Sequence, residues 1–230
     1  MYKFNPITHI IFDCDGLLLN TEKIYSEIDA EVIGRYGKLY PLTIRRKILG
    51  TSEMHTASVI VSELNLPLTA KQYHSEVKKL QKTRLENADL MPGVEKLVPK
   101  LYKAGIPLAV ATSASMEGFE KKTSRHKDFF NKYFSHVVAA GSDPSVKEGK
   151  PAPDVFLVCA ARFSDSPEPS KCLVFEDSPN GAIAANRAGM QVVLVPEDYV
   201  LEEDKKIATL SIKSLNDFQP EWFGLPSFEN

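Results

Sequence analysis

The feature that most constrains this chain is a short apolar run, Ile10-Ile11-Phe12, that ends abruptly at two carboxylates, Asp13 and Asp15. Successive β-branched and aromatic residues without polar alternation suit a strand covered on both faces, the situation of a parallel sheet. Similar runs recur at Pro107 to Ala111, Val137 to Ala140, Cys172 to Phe175 and Val192 to Val195. Helical spacing fills the gaps. Val94, Leu97, Val98, Leu101 and Ala104 follow Pro92 and stop at Gly105. Ser178-Pro179 supplies an N-cap and a first-turn proline for a helix running through Ile183 and Ala185 to Gly189. Strand and helix in alternation predict an α/β core, a parallel sheet with helices on both faces and its ligand beyond the carboxyl ends of the strands.

Residues 20–91 interrupt that rhythm. Ile24, Ile28 and Val32, then Met54, Ala57, Val61 and Leu64, then Tyr73, Val77 and Leu80 repeat at helical spacing with no strand between them. The expected organisation is a catalytic core of residues 1–19 and 92–230 with a helical cap domain, 20–91, inserted over the carboxyl end of the first strand.

Composition narrows the ligand. With 28 Lys and Arg against 30 Asp and Glu the formal charge is −2, so no global field recruits nucleic acid or an anionic membrane. Three cysteines without a CxxC pair, and five histidines without an HExxH motif, offer neither a disulfide framework nor a zinc site. No apolar segment is long enough for a signal peptide or a membrane span, so a cytoplasmic chain is expected. Neither a nucleic acid polymer nor a membrane is an expected partner, and the chain is expected to act as a monomer.

Polar residues gather where the strands end: Asp13 and Asp15, Thr112 and Ser113, Glu176 and Asp177, with Lys150 in the loop Gly149-Lys150-Pro151. Four carboxylates at one sheet edge cannot all ionise at neutral pH without a compensating cation. Mg²⁺ fits, because it takes few protein carboxylates and completes its shell with water and a substrate phosphate. A carboxylate nucleophile beside a lysine and a hydroxyl suggests phosphoryl transfer through an aspartyl-phosphate.

The motifs 13-DCDG-16, 112-TS-113, 149-GKPAPD-154 and 176-ED-177 resemble, in this order, those of the haloacid dehalogenase superfamily. The helices between the first two motifs look like its alpha-helical cap subclass of small-molecule phosphatases and phosphomutases. The segments 90-LMPGVEKL-97, 122-KTSRHKDFF-130, 171-KCLVFEDSPNG-181 and 217-DFQPEWFGLP-226 resemble the branch whose substrate is pseudouridine 5'-phosphate. The resemblance implies a Rossmann-like core and gives each residue a role. Asp13 would be the nucleophile and a metal ligand. Asp15 would be the acid and base, lending its backbone carbonyl to the metal. Thr112 and Ser113 would bind phosphate, with Lys150 neutralising it and the nucleophile. Asp177 would complete the metal shell with Glu176 beside it, directly or through water, and the expected partner is a small phosphorylated metabolite.

Two positions depart from the family pattern. Asn20 stands where 15-DGLLLNT-21 would carry Asp, at the exit to the cap. In the cap, 50-GTSE-53 has Glu53 where mutases carry an Arg for a second phosphate, which favours a phosphatase over a sugar phosphomutase. Other classes fit less well. A phosphorylatable receiver module has its acidic pair early and no insertion. A non-catalytic phosphate-binding paralogue would not need the four charged motif residues. Gly149-Lys150 lacks the remainder of a P-loop. Cys14 is read as a buried apolar residue turned away from its acidic neighbours. The basic run Lys121 to Lys127 is read as a solvated helix face, with His126 near the site entrance.

Overall fold

The computed structural model describes residues 3–48, 51 and 53–228. In chain order the elements are β1 (His9–Phe12), α1 (Thr21–Gly34), α2 (Leu42–Ile48), α3 (Glu53–Glu63), α4 (Ala70–Arg84), α5 (Val94–Lys103), β2 (Leu108–Thr112), α6 (Met116–Lys122), α7 (Lys127–Tyr133), β3 (Val137–Ala139), α8 (Asp154–Ala161), β4 (Cys172–Glu176), α9 (Pro179–Arg187), β5 (Gln191–Leu194), α10 (Glu202–Lys205) and β6 (Leu210–Ser211). All strands pair in parallel, in the order β3-β2-β1-β4-β5-β6. β1 is central, and the chain leaves it toward β2 on one side and β4 on the other. That reversal of direction opens the crevice where such sheets bind ligands.

Period-two alternation divides the strands between two cores. Ile10, Phe12, Leu108, Val110 and Phe175 face one layer with Val94, Leu97 and Leu101 of α5. Ile11, Ala109, Ala111, Val174 and Val192 face the other, with Phe156 of α8 and Ala182 of α9. The rings of Phe12 and Phe175 stack at 4.8 Å, locking β1 to β4 one residue before the sheet turns acidic.

Helices α1 to α4 have a third apolar cluster of their own, centred on Ile28, Val32, Ala57, Ile60 and Tyr73. Met54, expected in that core, is 41% exposed. The cap helix α2 carries no sequence signal of its own, because Ile44 is its single buried residue. The chain enters and leaves this unit on adjacent segments: Leu19 bridges Leu90, Asn20 N–H donates to Asp89 O and Met91 N–H donates to Leu18 O. Among the described residues no helix is long and apolar enough to cross a membrane.

Candidate active site

Asp13 begins where β1 stops, its N–H still donating to Phe175 O at 2.9 Å. The chain then turns sharply, with Leu18 and Leu19 N–H both returning to Cys14 O. Gly16 holds that turn at φ +78°, and a Cβ there would lie 2.2 Å from Asp177 Oδ2. The absence of a side chain lets the β4 carboxylate lie directly over the β1 turn.

Lys150 enters from the loop before α8, and its side chain is buried. Its Nζ donates to Asp13 Oδ1 at 2.5 Å, to Glu176 Oε1 at 2.6 Å and to Ala111 O at 3.2 Å. The other oxygen of Glu176 accepts from Asp177 N–H, Ser178 N–H and Ser178 Oγ at 3.0–3.1 Å. Gly181 makes room for it, since a Cβ there would fall 1.9 Å from the Glu176 carboxylate. Ser178 caps α9 by accepting from Gly181 N–H, as the sequence predicts. Both oxygens of Glu176 are thus engaged, Oε1 by Lys150, which favours contact through water over direct ligation in its expected part of a metal shell.

Asp15 reaches the opposite side. Oδ2 contacts Lys122 Nζ and lies 3.4 Å from the hydroxyl of Thr112, while Oδ1 lies 3.5 Å from the Tyr25 hydroxyl on α1. Thr112 is buried and its Oγ1 accepts from Ala114 N–H at 3.1 Å. Ser113, by contrast, is exposed.

The charges are unbalanced. Burial raises the Asp13 pKa to about 7, Lys150 pulling it down and Glu176 and Asp15 pushing it up. Burial, then Glu176 and Asp13, hold Asp177 well above the carboxylate range. Glu22 rises to about 7 through burial, with Asp15 and Glu197 adding to it. Burial opposes the charge of Lys150, yet Asp13 and Glu176 outweigh it and raise its pKa. In Asp15 burial is outweighed by Lys122, and the pKa is lowered. The single ammonium of Lys150, shared between Asp13 and Glu176, does not offset the carboxylates of Asp13, Glu176 and Asp177 together, and the available donors are all oxygen, which suits a hard divalent ion. Among the described residues no three His, Cys, Asp or Glu side chains group closely enough to hold a metal. A metal at this edge would need a backbone oxygen, water or substrate to complete its shell.

Asp13, Asp15, Thr112, Lys150, Glu176 and Asp177 therefore converge at the carboxyl edge of β1, β2 and β4. Sequence reasoning missed Lys122, Tyr25 and Glu22. Lys122 contradicts the reading of Lys121 to Lys127 as a solvated face: it is 2% exposed. Its neighbours grip the segment returning from the cap, His126 Nε2 lying 3.0 Å from Ala88 O. The expectation for 50-GTSE-53 also changes. Gly50 and Ser52 lie outside the described residues, and Glu53 is paired with Lys78 at 2.5 Å and His74 at 3.0 Å. A paired anion repels a second phosphate far less than a free one. Cys14 is fully buried and its thiol pKa is pushed well up by burial and Asp15, which excludes it as a nucleophile.

Residues 10–195 match the model of the haloacid dehalogenase-like hydrolases. The probable pseudouridine-5'-phosphatase of Drosophila melanogaster is 44% identical over 222 residues, 96% of each chain. The mitochondrial (DL)-glycerol-3-phosphatase 1 of Arabidopsis thaliana is 41% identical over 227 residues, 97% of this chain and 76% of its own. Among solved structures, a putative beta-phosphoglucomutase from Thermotoga maritima shares the fold with a TM-score of 0.71 and 27% identity, over 91% of this chain and 97% of that one.

Proposed function

The chain belongs to the haloacid dehalogenase-like hydrolases and is a phosphatase of small phosphate esters; within that class we propose that it hydrolyses pseudouridine 5'-phosphate through an aspartyl-phosphate on Asp13. The chemistry is supported above all by the Lys150 bridge, which sets a buried ammonium 2.5 Å from Asp13 Oδ1 at the mouth of the sheet. The substrate is supported by the 44% identity that spans 96% of both this chain and the fly protein.

Asp13 attacks phosphorus as the bond to the leaving oxygen breaks, and Asp15, which must first take up a proton against the pull of Lys122, gives that proton to the leaving oxygen. Asp15, now a carboxylate, takes a proton from the water that attacks the phosphoryl group, which frees inorganic phosphate and restores Asp13. Lys150 offsets charge on nucleophile and phosphoryl group alike, while the Thr112 hydroxyl and the Ser113 amide face the transferring oxygens. Glu176 keeps Lys150 in line. Mg²⁺ is the proposed cofactor: the Asp13 and Asp177 carboxylates and the Asp15 carbonyl would hold it, and it would supply the positive charge this cluster lacks. All three cysteines are free and buried, which suits a reducing compartment, and the cytosol is the proposed location.

Phosphate release with Mg²⁺ should be ranked by kcat/KM over pseudouridine 5'-phosphate, uridine 5'-phosphate, sugar monophosphates and glycerol 3-phosphate. Pseudouridine 5'-phosphate is expected to lead. A preference for glycerol 3-phosphate would overturn the substrate while leaving the reaction class in place.

A further inference from the structure

Helix α6 ends on a lysine with almost no exposure: Lys122 is 2% exposed and its Nζ contacts Asp15 Oδ2. An ammonium is expensive to bury, and a well-packed apolar side chain could fill the same space without that cost. The segment that carries it is fastened on both sides of the contact. Lys121 Nζ lies 3.5 Å from Glu86 Oε1, Arg125 Nη1 donates to Asn87 O at 3.2 Å and His126 Nε2 meets Ala88 O at 3.0 Å. All three partners lie on the chain returning from the cap. Lys122 is thus tied to the hinge by its own segment, and it meets the one oxygen of Asp15 that also faces the Thr112 hydroxyl. The other oxygen is left toward Tyr25 and the cap, on the side where the leaving group must sit.

We propose that Lys122 is a positioning residue for the reaction, pinning Asp15 Oδ2 to the core so that Oδ1 faces the leaving oxygen. Asp15 takes up a proton from water on Oδ1, the oxygen that Lys122 leaves free, and passes it to the leaving oxygen as the P–O bond breaks; Lys122 keeps its own protons throughout. This rests on the phosphatase reading and on Asp15 as its acid. A carboxylate freed to rotate would place its proton wrongly for a poor leaving group and cost little for a good one.

The test compares Lys122→Met, Asp15→Asn and the double variant on two esters. One is p-nitrophenyl phosphate; the other is whichever of pseudouridine 5'-phosphate, uridine 5'-phosphate and glycerol 3-phosphate the wild type turns over best. Lys122→Met is expected to lower kcat on the alkyl ester by about tenfold to a hundredfold and on the aryl ester by less than about threefold, with KM nearly unchanged. In the Asp15→Asn background the same change should alter kcat by less than about twofold, because the residue it positions is already gone. Equal losses on both esters, a loss undiminished without Asp15, or a raised KM with kcat intact would each overturn the proposal. If Lys122→Met leaves Asp15 unpaired and fails to fold, the charge-neutral double variant measured against Asp15→Asn still decides. A wild type that hydrolyses none of these esters would overturn the phosphatase reading, and this proposal with it.

Discussion

Asp13 carries an electrostatic burden at rest that its chemistry explains. Burial and the nearby Glu176 and Asp15 lift its pKa to about 7, against the pull of Lys150. An amide at this position removes the burden and the proposed nucleophile together. Asp13→Asn should therefore lose at least about 10³ in kcat. In chelator its melting temperature should equal or exceed that of the wild type, since a buried charge cluster has lost one member. Mg²⁺ should raise the wild-type melting temperature clearly and that of Asp13→Asn far less. Thermal unfolding in chelator and in Mg²⁺ checks this independently of turnover, and a wild type indifferent to Mg²⁺ would remove the metal from this site. At this scale much was legible, because strand ends show where a sheet presents its chemistry. Lys122 was not. Spacing assigns a residue to a helix face but cannot reveal a partner 107 positions away in sequence.

At the scale of elements, the strands and the two capped helices α5 and α9 follow from apolar runs and punctuation, and the two-sided core follows from alternation. The two-residue β6 and the short α2 were hidden for a physical reason: neither buries enough to impose a pattern. The cap also holds a group that no periodicity discloses. Asp29 on α1 is buried and accepts from the Tyr73 hydroxyl at 2.7 Å and the Tyr40 hydroxyl at 3.4 Å. Burial raises its pKa to about 6, the two tyrosines pulling it back. The folded pKa lies above the unfolded value, so the protonated form favours folding. That contribution is fully present below about pH 4 and is lost as pH climbs through about 6. Asp29→Asn keeps an acceptor for Tyr73 and discards the charge. It should stabilise the protein at pH 7.5 by up to about 2 kcal/mol and have a much smaller effect near pH 4. Urea unfolding of both proteins at the two pH values measures the difference. An Asp29→Asn variant less stable than wild type at pH 7.5 would show that the tyrosines need the carboxylate.

Across the whole molecule the cap is held to the core at several places, of which the hinge and a second contact have different consequences. The hinge is built from paired segments, Leu18 to Asn20 beside Asp89 to Met91, so motion there bends a two-stranded ribbon without breaking covalent connection. The second contact is a latch. Arg46 Nε of α2 donates to Tyr199 O at 3.0 Å, and the Arg45 guanidinium lies 4.8 Å from the centre of the Tyr199 ring. Water must reach Asp13 after the leaving group departs, so the cap is expected to open at the latch or to admit solvent between the two half-reactions. Arg46 is exposed, and removing it should cost the closed state about one hydrogen bond while leaving the core intact. Arg46→Ala is therefore expected to raise KM by about twofold to tenfold, because a smaller fraction of the protein is closed when substrate arrives. The value of kcat should not fall, since the reacting groups all lie on the core and opening becomes easier. Steady-state kinetics with the preferred monoester separates the two constants. A fall in kcat at constant KM would mean that the latch orders the reacting groups themselves, and that closure in this enzyme belongs to the chemical step.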